Sequence, residues 1–293
     1  MCPLAHKDNK FFQSGDILIK QKKIAVINDF SGFGRCSLTV SIPIISAAGI
    51  QCCPLPTAVF SNHTGYEDYF FEDYTDKMEI YYSKWEKLGL SFDGIYTGFL
   101  GSDKQVDIVA DFIKKFASPE THIIVDPVMG DNGKTYATLT DELCRHIGTL
   151  AYGADVITPN LTEACILADI PYNENTAEAG LLPELAQKLI SLGSKNIVIT
   201  GIDQGNNIGN FIYRQDGTYN MITSPRLGKP RAGTGDVFTS IITACTVNGM
   251  SLEESVKEAC HFTEKAISLS NKMNIPSQDG LCFEPFLKVL SPP

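Results

Sequence analysis

Four residues whose types and order could do chemistry stand together at Gly233-Thr234-Gly235-Asp236, and the apolar, small-residue run Val237-Phe238-Thr239-Ser240-Ile241-Ile242-Thr243-Ala244 follows at once. The pattern is a glycine loop opening into a helix, so unpaired backbone N–H groups and the positive end of the helix dipole converge on one point. Such a point attracts phosphate. A carboxylate there would repel an anion, unless its task is to take a proton from an attacking hydroxyl. Phosphoryl transfer is the chemistry this combination suggests. An ordinary helix start, with Asp236 as a dipole-complementing first-turn acid and the glycines as turn residues, accounts for the same four residues.

The elements that must position such a loop can be read upstream of it. The apolar run 23–27 ends in Asn28-Asp29-Phe30-Ser31-Gly32-Phe33-Gly34, after which 37–48 reads as a helix that Pro43 should kink or delay. As a dinucleotide fingerprint this turn fails, because Ser37 stands at the third glycine position, and a substrate-binding turn fits better. Residues 50–60 read as a strand pair interrupted by Pro54 and Pro56. They lead to Phe60-Ser61-Asn62-His63-Thr64-Gly65-Tyr66 and an aromatic, acidic loop to residue 75. Helices are expected over 76–88, 103–116, 139–150 and 177–192, strands over 94–98, 121–125, 154–158 and 196–200. The runs 210–214 and 219–223, joined by Gln215-Asp216-Gly217, read as a small β-hairpin. Ser251-Leu252-Glu253-Glu254 opens a helix to about residue 270, and a short last helix follows over 285–290.

Alternating buried strands and helices imply an α/β fold: a three-layer sandwich whose mainly parallel central sheet is covered by helices on both faces. In such sheets the ligand crevice lies outside the carboxyl ends of the strands. Asp29, Gly98, Asp126, Asn160, Thr200 and Asp236 all fall at or just beyond those ends, which gathers them on one rim.

Composition excludes several alternatives. The chain has 293 residues, 43% of them hydrophobic, and a formal net charge of -10, which argues against a protein built to hold a nucleic-acid backbone. Its nine cysteines include no CxxC pair, so neither a zinc site nor a disulfide scaffold is expected. No run approaches the roughly 18 to 20 apolar residues a membrane span needs, and residues 1–23 lack a signal-peptide core. The expectation is a cytoplasmic protein with no membrane partner. It would have an amino-terminal extension over 1–22 and one domain over 23–293.

On these residues the chain resembles the ribokinase-like superfamily and, within it, pyridoxal kinases. Gly233-Thr234-Gly235-Asp236 is similar to the superfamily signature, and Asp126-Pro127-Val128-Met129-Gly130-Asp131 and Thr158-Pro159-Asn160-Leu161-Thr162-Glu163 match central motifs of its vitamin-kinase branch. The loop 60–66 matches the pyridoxal-kinase substrate loop. The resemblance spans roughly residues 23 to 270. It implies Asp236 as catalytic base and the amides of Gly233, Thr234 and Gly235 as an anion hole. It implies ATP and Mg²⁺, the ion held mainly through Glu163 with Asp126 and Asn160 nearby, a monovalent cation (K⁺ or Na⁺) beside the anion hole, and a homodimer. The acceptor, a B6 vitamer, would meet Asp29, Thr64 and an aromatic wall of His63, Tyr66 and Phe99. Plain loop packing is the alternative for His63 and Tyr66, and a structural turn is the alternative for Asp126. Thr200 and Gly201 would border adenine or ribose, and Tyr136 would close over the phosphates.

The chain also departs from that pattern. Asn28-Asp29-Phe30-Ser31-Gly32 is closer to hydroxymethylpyrimidine kinases, and Phe99 and Gly201 replace family hydroxyl residues. A pyrimidine acceptor therefore stands as the alternative, and a non-catalytic vitamer-binding protein as a rival of another class. The lack of a GxxxxGK[ST] loop excludes a P-loop kinase.

Overall fold

Alternation of apolar side chains along β1 (Lys23–Ser31) sets the layering. Ile24 and Val26 join one buried cluster, and Ala25 and Ile27 join another on the opposite side of the sheet. The computed structural model describes residues 20–136, 139–173 and 180–291, so the expected extension over 1–22 lies almost wholly outside them, as does the start of the helix expected from 177.

In chain order the elements after β1 are α1 (Leu38–Ala47), β2 (Gln51–Phe60), β3 (Phe71–Asp73), α2 (Thr75–Lys87), β4 (Gly94–Thr97), α3 (Asp103–Phe116) and β5 (His122–Val125). The short pair β6 (Gly130–Asp131) and β7 (Lys134–Thr135) precedes α4 (Asp141–Gly148), β8 (Val156–Ile157), α5 (Leu161–Leu167) and α6 (Leu181–Ser191). Strands β9 (Asn196–Gln204), β10 (Asn207–Arg214) and β11 (Tyr219–Pro225) lead to α7 (Thr234–Val247) and α8 (Leu252–Lys272). The main sheet runs β11-β10-β9-β8-β5-β4-β1-β2-β3 and is parallel from β9 to β2, with antiparallel additions at both edges. Helices α2 to α6 cover one face and α1, α7 and α8 the other, the three-layer α/β sandwich expected.

Two local expectations, those for 50–60 and 71–73, need correction, and two others gain detail. Residues 50–60 form one strand, because Gln51 turns its amide to the Lys22 carbonyl and the two-residue alternation then aims the nitrogens of Pro54 and Pro56 away from β1, where no ladder bond is lost. Helix α1 runs on through Pro43. The expected hairpin of β10 and β11 forms and makes the edge of the main sheet, with β9 extended to pair with it, and a second, short hairpin, β6–β7, was not expected. Residues 71–73, expected as loop, pair with β2.

Candidate active site

The start of α7 is built for close approach. Gly233, its N-cap, has φ +67°, and a Cβ there would lie 1.9 Å from the Arg35 carbonyl oxygen. The loop after β1 is therefore pressed backbone to backbone against the loop before α7. That first loop is itself strained, with positive φ at Gly34, Arg35 and Ser37. The strain aims the Ser37 amide at Asp236, in the first turn of α7, whose half-buried carboxylate also accepts from Asn28 Nδ2 at 3.2 Å. Burial, then the charge of Asp29, pushes the Asp236 carboxyl up to about 6, against the pull of those two donors. A carboxylate so poised is ionised at neutral pH yet keen for a proton, which suits a general base.

Asn28 was not picked out from sequence, and it ties the site together. Its Oδ1 accepts the amides of Phe99 at 2.9 Å and Asp29 at 3.0 Å while Nδ2 serves Asp236. Gly98 makes room for it, since a Cβ at Gly98 would sit 2.4 Å from Asn28 Nδ2. Its sole signal was its place beside Asp29 at a strand end. Asp29, expected to touch the acceptor, is buried, and both its oxygens are taken by the hydroxyls of Ser31 (2.8 Å) and Ser37 (2.6 Å). Its effect on the site passes through Ser37 and through its charge.

Asp126 follows β5 and is buried facing α7, its Oδ2 3.4 Å from the Thr239 hydroxyl, which in turn lies 3.0 Å from Thr158 Oγ1. Burial, then Glu163 and Asp236, holds its carboxyl well above the usual range. Glu163 closes a capping box at the start of α5: its Oε2 accepts the Asn160 amide at 2.8 Å, while Asn160 Oδ1 accepts the Glu163 amide at 3.0 Å. The other oxygen, Oε1, takes the Met129 amide at 3.0 Å, and Asn160 Nδ2 donates to the Gly130 carbonyl at 2.7 Å. Burial pushes Glu163 up to about 7. Its oxygens thus brace the strand-end segment carrying β6. Tyr136 bonds back to it, its amide on the Met129 carbonyl at 3.0 Å, and its phenol is raised by partial burial and then by Glu163. Thr200 in β9 bridges Asn160, and Gly201, with φ +68°, turns the backbone beside it.

Among the described residues no group of three or more His, Cys, Asp or Glu side chains forms a ready metal site. Two buried carboxylates raised by burial and, at Asp126, by its neighbours are nonetheless a donor set that a hard cation would relieve, and hard cations take carboxylates with waters and phosphate oxygens. Asp126 and Glu163 therefore fit Mg²⁺ in character, as partners completed by a nucleotide.

The loop 60–66 stands differently from expectation. His63 Nδ1 accepts the Gly65 amide at 3.0 Å, which leaves Nε2 to donate to the Gln278 carbonyl at 2.7 Å. The Tyr66 hydroxyl donates to Asp279 Oδ1 at 2.7 Å, and its ring lies 4.8 Å from that of His63. Both side chains are engaged in loop packing, the alternative to their reading as an aromatic wall. Thr64 is exposed between them, and Phe99 stands edge-on to Phe60 at 6.4 Å.

A carboxylate at the start of a glycine-capped helix, at the carboxyl edge of a mainly parallel sheet between two helical layers, is the setting of a ribokinase-like kinase that phosphorylates an alcohol. The chain belongs to the phosphomethylpyrimidine kinase family, whose sequence profile matches residues 83–281. A Bacteroides thetaiotaomicron protein assigned to the phosphomethylpyrimidine kinases is 42% identical, with a TM-score of 0.90 over 94% of this chain and 96% of that one. A second crystal form of it, with pyridoxal, has a TM-score of 0.88 over 92% of this chain and 96% of that one. The hydroxymethylpyrimidine/phosphomethylpyrimidine kinase of Haemophilus influenzae is 31% identical over 188 residues, 62% of this chain and 67% of that protein. A pyridoxal kinase of Leifsonia xyli is 25% identical over 254 residues, 80% of this chain and 85% of that one.

Proposed function

We propose that the protein transfers the γ-phosphoryl group of ATP to the 5′-hydroxymethyl group of a B6 vitamer, pyridoxal, pyridoxamine or pyridoxine. One observation carries the reading: Asp236, held by the Asn28 side chain and the Ser37 amide, lies in the first turn of α7 with its carboxyl pushed up to about 6. Asp236 takes the proton of the attacking hydroxyl. The amides of Gly233, Thr234 and Gly235 meet the charge that spreads over the phosphoryl oxygens in a loose transition state, where positioning and electrostatics outweigh covalent help. Mg²⁺, when bound, supplies positive charge to the phosphates, with Glu163 and Asp126 as its protein partners, directly or through water. A monovalent cation beside the anion hole belongs to the same reading. Asn160, Thr200 and Gly201 border the nucleotide, Tyr136 covers its phosphates, and Thr64 and Phe99 face the acceptor ring.

The vitamer assignment is supported by the 42% identical relative crystallised with pyridoxal and by the loop 60–66. A second reading, hydroxymethylpyrimidine as acceptor, is favoured by the Haemophilus relative and by the Asn28-Asp29-Phe30-Ser31-Gly32 turn. Competition between pyridoxal and hydroxymethylpyrimidine for labelled ATP separates them. We expect a higher kcat/KM for pyridoxal, and an equal or reversed preference overturns the vitamer assignment.

A further inference from the structure

The hydrogen bonds of the substrate loop divide into two kinds. Ser61 and Phe70 exchange bonds, Asn62 Nδ2 reaches the Asp68 carbonyl at 2.8 Å, and the Tyr66 amide reaches the His63 carbonyl at 3.2 Å. These give the loop a shape and say nothing of where it lies. Among the described residues, every hydrogen bond that leaves 61–70 goes to one distant segment: His63 Nε2 to the Gln278 carbonyl, and the Tyr66 hydroxyl to that carbonyl at 3.2 Å and to Asp279 Oδ1 at 2.7 Å.

That segment is itself anchored to the two loops that shape the catalytic end. The Arg231 guanidinium donates to the carbonyls of Ile275, Pro276 and Gly280 and to Asn271 Oδ1, and the Ala232 amide donates to the Ser277 carbonyl at 3.1 Å, just ahead of Gly233. Arg35, in the loop that supports Asp236, donates to the Asp279 carbonyl at 3.3 Å and pairs with Glu284 at 2.6 Å. Gly280, at φ +82°, lies so close that a Cβ would meet Arg35 Cβ at 2.8 Å and the Gly34 carbonyl oxygen at 2.9 Å. Residues 275–284 thus form a strap across the anion-hole loop, the base-supporting loop and the substrate loop, and the hydrogen bonds that tie it to the last run through side-chain tips alone.

We propose that Asp279 is a positioning residue for acceptor recognition: its carboxylate, through the Tyr66 hydroxyl, sets the substrate loop and hence Thr64 at the correct distance from the base. The proposal rests on the reading of loop 60–66 as the acceptor-binding loop. It assigns His63 and Tyr66 to anchoring, and it makes acceptor affinity depend on a residue 213 positions downstream of Tyr66. Among the described residues the Asp279 carboxylate bonds the Tyr66 hydroxyl and no residue assigned to the nucleotide or the base, so its loss acts on acceptor binding and leaves the transfer step alone.

The test pairs kinetics with a measurement that needs no catalysis. In Asp279→Ala the KM for the better of pyridoxal and hydroxymethylpyrimidine rises about tenfold, the cost of one partly exposed charged hydrogen bond, while kcat and the KM for ATP stay within about twofold. Tyr66→Phe shows the same rise, and the double variant is no worse than either single one because the two groups act as a unit. Asp279→Asn, whose amide oxygen still accepts the Tyr66 proton, recovers most of the parental KM. In ligand-free protein, hydrogen exchange at the amides of 61–66 is faster in Asp279→Ala and Tyr66→Phe than in the parent, and unchanged at α7. Unchanged acceptor KM, additive effects in the double variant, or unaltered exchange at 61–66 overturns the proposal. If the parent phosphorylates neither acceptor, the function proposed above fails, and the exchange experiment still decides the role of Asp279. Should Asp279→Ala fail to fold, Tyr66→Phe and Asp279→Asn carry both measurements.

Discussion

Replacing Asn28 with aspartate puts the assignment of the base at risk in a single pH profile. Asn28 Oδ1 holds the Phe99 and Asp29 amides while Nδ2 donates to Asp236 Oδ1 at 3.2 Å. Aspartate has the same shape, so it keeps the first two bonds and sets an oxygen against Asp236. Two carboxylates about 4 Å apart repel by about 4 kcal/mol at an effective dielectric of about 20, equivalent to about three pKa units, and the lost donor adds to this. The pair then keeps one proton through neutrality, as like charges sharing a site do. In the parent the Asp236 carboxyl lies at about 6. A base must be ionised, so parental kcat/KM rises with pH through about 6 and levels off above it. In Asn28→Asp the rise moves to about pH 9 or higher, so activity at pH 7 falls about 10²-fold and returns only above about pH 9. The assay is ADP release coupled to a spectroscopic readout over that range, with Asp236→Asn as reference. That variant should lose at least about 10²-fold in turnover while still binding ATP. An acid limb in the same place for Asn28→Asp, or parental turnover in Asp236→Asn, would refute the reasoning.

Two further changes probe the metal partners and the loop geometry. Glu163→Gln keeps a carbonyl to accept an amide from the 129–130 segment or Asn160 but removes a charge from the pair with Asp126, so the Mg²⁺ concentration for half-maximal rate should rise; identical magnesium dependence moves the ion to another carboxylate. Gly233→Ala forces a methyl group to within 1.9 Å of the Arg35 carbonyl oxygen at φ +67°, and should lower the midpoint of thermal unfolding by about 3–10 °C and abolish most turnover. Parental values of both would mean that the two loops separate without consequence.

Elements whose signals are local came through: α3 occupies the expected 103–116, α2 and β4 fall within a residue of expectation, and the capping box at Ser251/Glu254 forms. Pro54 and Pro56 do not break β2, because a strand proline's cost depends on where its missing N–H would point, and that is a matter of which strand lies alongside. The hairpin β6–β7 was missed for lack of any period in strands of two residues each.

Sequence by itself determined the alternating α/β pattern, the glycine loop before α7, and the set of carboxylates at strand ends, because helix periodicity, strand alternation and turn chemistry are properties of neighbouring residues. Tertiary structure decided which of those residues face one another. Asn28 meets Asp236 across 208 positions of chain, and Asp29 turns inward to two serines. His63 and Tyr66 meet residues 278 and 279 instead of open space. Side-chain direction at a strand end depends on what packs beside it, and a polar group once buried must take whatever donor or acceptor the fold brings within reach.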